Sequence, residues 1–410
     1  MNRKKYLIPG AILLVLITAL ITYMVSSIFI LNKSSNNYSI SFDPKSVAFQ
    51  NLQKFTEVRD ILKKDFYEQV DENVLLEGAV AGMAASLNDP YTVYYTKDQM
   101  QQLRDMADKS EENYTGIGVS IYLDNNGIVT VIEPFEGSPG AAAGILPGDK
   151  IMEIDGQDIS ALKDDTLAAQ MIKGAEGTTV KLKILRSSEN RMIDFEIVRK
   201  KIKLTVNIRS SVLDNGIGYI RILSFMDNNI AKIFNDTLSA LLAKNITSLI
   251  IDVRDNPGGS LDQVENIADR LLPEGLIVYT ENRDKKVVET RMSDKTSLDM
   301  PIVLLVNQNS ASASEILAGA LKDHQKAKLV GTKTFGKGLV QEILSLNDGS
   351  GVKVTIARYF TPSGAYIQGI GITPDYIVNL PDEYKNTPVS QIPKGKDNQL
   401  QKAIDLLKNK

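Results

Sequence analysis

Leu249-Ile250-Ile251-Asp252-Val253-Arg254-Asp255-Asn256-Pro257-Gly258-Gly259 is the stretch on which the fold turns. Its first five residues are apolar except for one aspartate, too few for a helix and dense enough for a strand covered on both faces. A polar turn with two glycines follows, and Leu261, Val264, Ala268 and Leu271 then recur at helical spacing. Strand, tight turn and amphipathic helix make one unit of a layered α/β fold. The unit repeats on either side. Ile217 to Leu223 reads as a strand ahead of a helix striped by Ile230, Ile233, Phe234, Leu238, Leu241 and Leu242. Pro301 to Val306 reads as a third core strand ahead of a helix over Glu315 to Lys322, and strand-like segments at Leu339 to Leu346 and Gly351 to Tyr359 close the region. The fold class predicted is α/β with α+β elements.

Upstream the texture changes. Short β runs occupy about 99–200: Gly116-Ile117-Gly118-Val119-Ser120-Ile121 leads into Ile128 to Ile132, then Gly137-Ser138-Pro139 precedes Ala141-Ala142-Ala143-Gly144-Ile145-Leu146-Pro147-Gly148-Asp149-Lys150-Ile151. A helix from about Leu162 to Lys173 comes before the strand Val180 to Leu185. Ahead of all this lie two helical patterns. One is striped by Phe55, Val58, Ile61, Leu62 and Phe66, the other by Leu75, Leu76, Ala79, Val80 and Met83, and Asn88-Asp89-Pro90 stops the second. They read as a packing or dimerisation element.

The N-terminus reads as a membrane anchor. Arg3, Lys4 and Lys5 precede 27 uncharged residues, Tyr6 to Asn32, and about 20 apolar residues span a bilayer core. The run exceeds the h-region of a cleaved signal peptide and ends without a good A-x-A-like site, which favours an uncleaved signal anchor. Basic residues ahead of the span keep the N-terminus cytoplasmic and place everything after about Lys33 outside the cytoplasm. Residues 32–46, rich in Ser and Asn, form a tether.

Composition removes several chemistries. The 410 residues include no Cys and one His, with 47 basic and 50 acidic residues for a net charge of −3. There is no thiol nucleophile, no thiolate or multi-histidine metal site, and no cationic footprint for nucleic acid. Any Ser-His-Asp triad would have to use His324. Hydrolysis at neutral pH therefore points to a lysine or carboxylate base.

Three segments carry candidate chemistry, and each reads two ways. In Asn307-Gln308-Asn309-Ser310-Ala311-Ser312-Ala313-Ser314-Glu315 a buried strand gives way to a helix. Ser312-x-x-Glu315 fits a capping box, while a serine at a helix mouth, beyond the carboxyl end of a core strand, also suits a nucleophile. The glycines of Asn256-Pro257-Gly258-Gly259 fit a tight turn or an oxyanion loop. Lys337, in Thr334-Phe335-Gly336-Lys337-Gly338-Leu339-Val340-Gln341, is either an exposed loop residue or a desolvated amine lowered toward neutrality and able to act as general base.

The Gly116 to Val119 loop, joined to the downstream A-G-I-L-P-G-D-K-I turn, resembles a PDZ domain. The resemblance implies that Gly116, Ile117, Gly118 and Val119 meet a peptide carboxylate and that the peptide adds as a strand beside them. Gly140 stands where that family more often has Ala, which reads as a matter of helix propensity. Together with Ala357-Arg358-Tyr359-Phe360-Thr361-Pro362-Ser363-Gly364, the three chemical segments resemble the C-terminal processing peptidases, the tail-specific proteases of serine peptidase family S41, over about residues 58–378. Ala365 departs from the basic residue many members carry there.

That resemblance implies a ClpP/crotonase-like α/β protease core, with Ser312 as nucleophile, Lys337 as base and Gln341 orienting the lysine. The amides of Gly258, Gly259 and Ala313 would form the oxyanion hole. It implies no cofactor or metal, protein substrates with free C-terminal tails, and a single-pass protein of a bacterial cell membrane with its catalytic part in the envelope. A homodimer would use the helical stripes at 55–83 and about 397–408. The domains would run 1–33 (anchor), 34–98 (tether and helices), 99–200 (PDZ), 201–385 (protease core) and 386–410 (tail helix). Two other functions remain: a catalytically silent PDZ scaffold and a crotonase-like enzyme acting on acyl thioesters.

Four local expectations accompany this. Lys337 and Gln341 would be about 13 Å apart in a straight strand, so a turn is predicted there. Arg254 and Asp255 form a local ion pair. His324 sits at the far end of the helix opened by Ser312, outside the chemistry. The PDZ domain gates the active site.

Overall fold

The computed structural model describes residues 47–408 apart from 109–113, 125, 136, 161, 163, 188, 203–207, 386, 388 and 394. The chain parts into two compact units, residues 1–76 and 77–410. The expected membrane span at 6–32 lies outside the described residues. Among those described, no helix is long and apolar enough to cross a membrane.

In the first unit the Val47–Asp65 helix carries the anticipated stripe, which is left exposed among the described residues. Phe55, Val58, Ile61, Leu62 and Phe66 are 39–51 % exposed.

In the second unit, five antiparallel strands stand in the order Val119–Leu123, Val129–Pro134, Asp149–Ile154, Thr179–Arg186, Arg191–Val198. Alternate residues such as Val180, Leu182 and Ile184 enter one core with Val129, Val131 and Ile151. Two helices complete this PDZ-like body. Ser138 caps Pro139–Ala143 by accepting the Ala141 amide, with Pro139 in the first turn. Asp164 caps Asp165–Ile172 by accepting the Leu167 amide at 2.9 Å. Val119–Leu123 is the sheet's edge strand.

The Gly140 departure has a packing cause rather than one of helix propensity. A Cβ there would lie 2.7 Å from Val119 Cγ1 and 3.0 Å from the Ile117 carbonyl, which already accepts the Gly140 amide at 2.7 Å.

The central sheet has six strands: Ile208–Leu213, Ile217–Ile222, Ser248–Asp252, Ile302–Val306, Ala327–Gly331 and Tyr376–Ile377, parallel from the second onward. Its strands are apolar on both faces because both faces are covered. Leu249, Ile251, Leu304 and Val306 pack with the helices Ile230–Leu242, Leu261–Leu271 and Ala313–Asp323. Ile250, Val303, Leu305 and Val330 pack with Ala403 and Ile404 of the Asn398–Lys408 helix.

A second sheet runs Val93–Tyr95, Gly351–Phe360, Gly275–Glu281, Val287–Ser293, with Leu339–Ser345 also paired to Gly351–Phe360.

The expected Arg254–Asp255 pair does not form. Arg254, fully buried, reaches Asp252 at 2.6 Å and Asp397 at 2.8 Å, because its side chain turns into the sheet's end and against the C-terminal helix. Burial alone would raise the Asp252 carboxyl, and the guanidinium holds it below its usual range instead.

Candidate active site

Ser248–Asp252 and Ile302–Val306 are neighbouring parallel strands, with Asp252 opposite Leu305. Their carboxyl ends therefore deliver two loops side by side, 253–259 and 307–312. Side chains stitch the loops together: Asn307 and Asn309 donate to Asp255 Oδ1 at 2.7 and 2.9 Å, and the Ala311 amide and Ser314 Oγ donate to the Asn256 carbonyl at 3.0 and 2.9 Å. Ser312 ends the second loop at φ 55°, ψ −115°, just before the helix Ala313–Asp323.

Two of the three expected oxyanion amides are available. Gly258 donates its amide to Asn256 Oδ1 at 2.9 Å, so that group is engaged. The bridge to Phe225 uses the Gly258 carbonyl and the Ser260 amide, which leaves the Gly259 amide outside the ladder. Ala313 opens a helix, where no intrahelical acceptor faces its amide.

Glu315, three residues beyond Ser312, is fully buried. Its Oε2 accepts the Ser312 amide at 3.1 Å and the Lys337 amide at 2.8 Å, and its Oε1 accepts Thr334 Oγ1 at 2.6 Å and the Gly336 amide at 2.7 Å. Burial pushes the Glu315 carboxyl above its usual range, against the pull of these donors. The Phe335 amide donates to the Ser310 carbonyl at 3.1 Å and the Gly338 amide to Gln368 Oε1 at 2.8 Å. The lysine loop is thus bound to the serine loop through its backbone.

Lys337 is half-buried, and burial lowers its amine below the usual lysine value, with Asp165 and Glu315 opposing and Lys353 reinforcing. Its Nζ lies over the Tyr91 ring, 5.0 Å from the centroid. No hydrogen bond joins it to Ser312 or Gln341 among the described residues. The expected turn between Lys337 and Gln341 is not formed: an irregular stretch that follows Gly336 (φ 91°) enters a strand at Leu339, and the only irregularity beyond it is a bulge between Val340 and Gln341. Gln341 points elsewhere, its Nε2 3.4 Å from Thr355 Oγ1. Tyr359, buried, donates its phenol to the Lys337 carbonyl.

Sequence reading missed Glu315 as more than a cap, and it missed Tyr91, Thr334 and Tyr359. Of these, Tyr91 alone lay outside the quoted motifs. His324 caps the opposite end of the Ala313–Asp323 helix and bonds the Leu276 carbonyl at 2.7 Å.

In the PDZ-like body, Gly116 ends a short strand paired with Lys200–Ile202. Ile117 and Gly118 form the loop, Gly118 at φ 69°, and Val119 opens the edge strand. Tyr122 of that strand meets Phe335 edge-on, ring centroids 5.8 Å apart. Asp164 accepts Tyr95 Oη and Lys353 Nζ, each at 2.7 Å.

Family models match three regions: the CtpB N-terminal domain of activating proteases over 15–99, a PDZ domain over 115–207 and peptidase family S41 over 216–378. The chain is 36% identical over 361 residues to the carboxy-terminal-processing protease of Bartonella bacilliformis, covering 86% of this chain and 81% of that one. It belongs to peptidase family S41. This S41 peptidase is also 36% identical to carboxy-terminal processing protease CtpB of Bacillus subtilis, over 82% of its own length and 70% of the relative's. A solved photosystem II D1 C-terminal processing protease matches at TM-score 0.65 and 29% identity, covering 82% of this chain and 91% of that one. The S41 peptidase is accordingly a serine-type endopeptidase of the carboxy-terminal processing group, a mixed α/β protease with a PDZ domain.

Proposed function

We propose that this peptidase is a membrane-anchored endopeptidase that captures free C-terminal tails of extracytoplasmic proteins through its PDZ domain and cleaves them with a Ser312–Lys337 dyad. The observation that carries the reading is the Glu315 carboxylate. It binds the backbones of both residues, so the two expected reacting groups belong to one fixed assembly.

Neutral Lys337, swung off the Tyr91 ring, takes the Ser312 proton as Oγ attacks the scissile carbonyl. The Ala313 and Gly259 amides receive the developing oxyanion at the helix mouth. The lysine then returns the proton to the leaving amine, and water completes hydrolysis of the acyl-enzyme. Gln341 orients the amine once the side chain has moved. The tail's carboxylate meets the amides of the Gly116 to Val119 loop, and its backbone adds to the edge strand at Val119–Leu123. Tyr122 on that strand touches Phe335, two residues before the base.

The anchor rests on the charge pattern of residues 3–32 and places the enzyme in the bacterial envelope. A homodimer covers the exposed stripe Phe55 to Phe66.

The test is mass spectrometry of peptides released from tail-bearing envelope proteins by wild type, Ser312→Ala and Lys337→Ala. Release near the C-terminus by wild type alone supports the reading, and equal release by Ser312→Ala refutes it.

A further inference from the structure

Capping explains only one of the four hydrogen bonds that Glu315 accepts. A helix N-cap calls for the bond from the Ser312 amide. The other three come from Thr334, Gly336 and Lys337, 19 to 22 residues further along the chain. We propose that Glu315 is a positioning residue for peptide hydrolysis, holding the Ser312 and Lys337 backbones at one separation so that only the lysine side chain has to move. The inference rests on the Ser312–Lys337 reading of the site.

The bonding pattern suits an ionised carboxylate, although burial pushes the group above its usual range. Each oxygen accepts two donors, Oε1 from Thr334 Oγ1 and the Gly336 amide and Oε2 from the Lys337 and Ser312 amides. A carboxylate is an acceptor only and satisfies all four donors, whereas an O–H on Oε2 would face two backbone amides. No cation pairs with Glu315 among the described residues, so its charge is held by neutral donors alone. The loop's remaining amides are also bound: Thr334 to the Ile372 carbonyl at 3.1 Å, Phe335 to the Ser310 carbonyl and Gly338 to Gln368 Oε1. Thr334 has a second duty, its Oγ1 accepting the Ile372 amide at 2.6 Å.

The same charge acts on the base through space. It favours the ammonium form of Lys337 against the desolvation that disfavours it. Removing the charge while keeping the shape therefore has two separable effects, a loss of position and a shift in the ionisation of the base. A residue that merely supported the fold would produce neither in a protein that still melts normally.

The experiment uses the full chain and a tail-bearing peptide, with Glu315→Gln as the main variant and Thr334→Val as the second. Glutamine presents an NH₂ to at least one backbone amide donor whichever way its amide turns. In Glu315→Gln the expected result is a kcat about 100-fold lower, the cost of a misplacement near 1 Å, with KM unchanged. Its residual activity rises at lower pH than in wild type. Thr334→Val keeps the charge, so kcat falls about tenfold, roughly the worth of one hydrogen bond, and the pH limb stays in place. Wild-type kcat in a folded Glu315→Gln overturns the inference, as does an unmoved pH limb. If Glu315→Gln fails to fold, an unchanged kcat in Thr334→Val overturns it. Ser312→Ala and Lys337→Ala run in parallel. Cleavage by either removes the dyad reading itself, whereas inactive controls beside a fully active Glu315→Gln remove only the role given to Glu315.

Discussion

Gly258 lies directly against Ser312: a Cβ on the glycine would stand 2.8 Å from the serine Cβ, 2.7 Å from the Ala311 carbonyl and 2.9 Å from the Ala313 amide. The atoms it would meet are backbone and the stem of the proposed nucleophile, so nothing can yield cheaply, and φ 104° already disfavours any side chain. Gly258→Ala should displace Ser312 and cut kcat about 100-fold. It should also destabilise the chain by roughly 1–3 kcal/mol. Steady-state cleavage and thermal melting check both.

Activity should rise with pH as Lys337 loses its proton, with a midpoint below the ordinary lysine value of 10.5, because burial favours the neutral amine. The sign for stability follows from the same shift. Between the lowered folded value and the unfolded one, the unfolded chain binds more protons, so this group's contribution improves as pH rises. Lys337→Met should abolish cleavage at every pH and raise the melting temperature at neutral pH. A pH–kcat profile with parallel melting curves tests this, and a melting temperature unchanged at neutral pH would count against a desolvated amine.

Arg254 holds Asp252 and Asp397 in the dark between sheet and C-terminal helix. Replacing it by Met removes the cation hydrogen-bonded to the fully buried Asp252, leaving the more distant Arg221, at a cost of about 3–5 kcal/mol. Denaturant unfolding of Arg254→Met should show that loss, where a surface pair would show under 1 kcal/mol.

Tyr122→Ala removes the ring contact with Phe335. Edge-to-face pairs contribute about 0.5–1.5 kcal/mol, so cleavage of a tail-bearing peptide should fall roughly 2- to 10-fold. Peptide binding to the PDZ groove, followed by fluorescence anisotropy, separates a loss of capture on the edge strand from a loss of cleavage. Equal kinetics in variant and wild type would show that the edge strand and the lysine loop are not coupled.

The strand–turn–helix order of the core was legible because strands covered on both faces read as unbroken apolar runs, and Leu249 to Val253 and Ile302 to Val306 are such runs. The serine and glycine loops were legible for a related reason, since each follows one of these strands. Strands such as Val287–Ser293 were not, because half their residues are exposed and the run of apolar residues is interrupted. The partners of Arg254 and Lys337 were hidden for a different cause. Asp397 lies 143 residues from Arg254, and Tyr91 comes from a segment that carries no motif. Glu315 was visible yet under-read, because a capping box accounts for its spacing without mentioning the loop it also binds.

The backbone of Ser312, at φ 55° and ψ −115°, occupies a region that a residue with a side chain enters at a cost of about 1–3 kcal/mol. Glycine at that position would shed the penalty, and with it the hydroxyl. If the proposed dyad holds, selection of this protein for thermal endurance alone would drift toward an inert molecule, one that outlasts the working form because its reactive atom has been discarded.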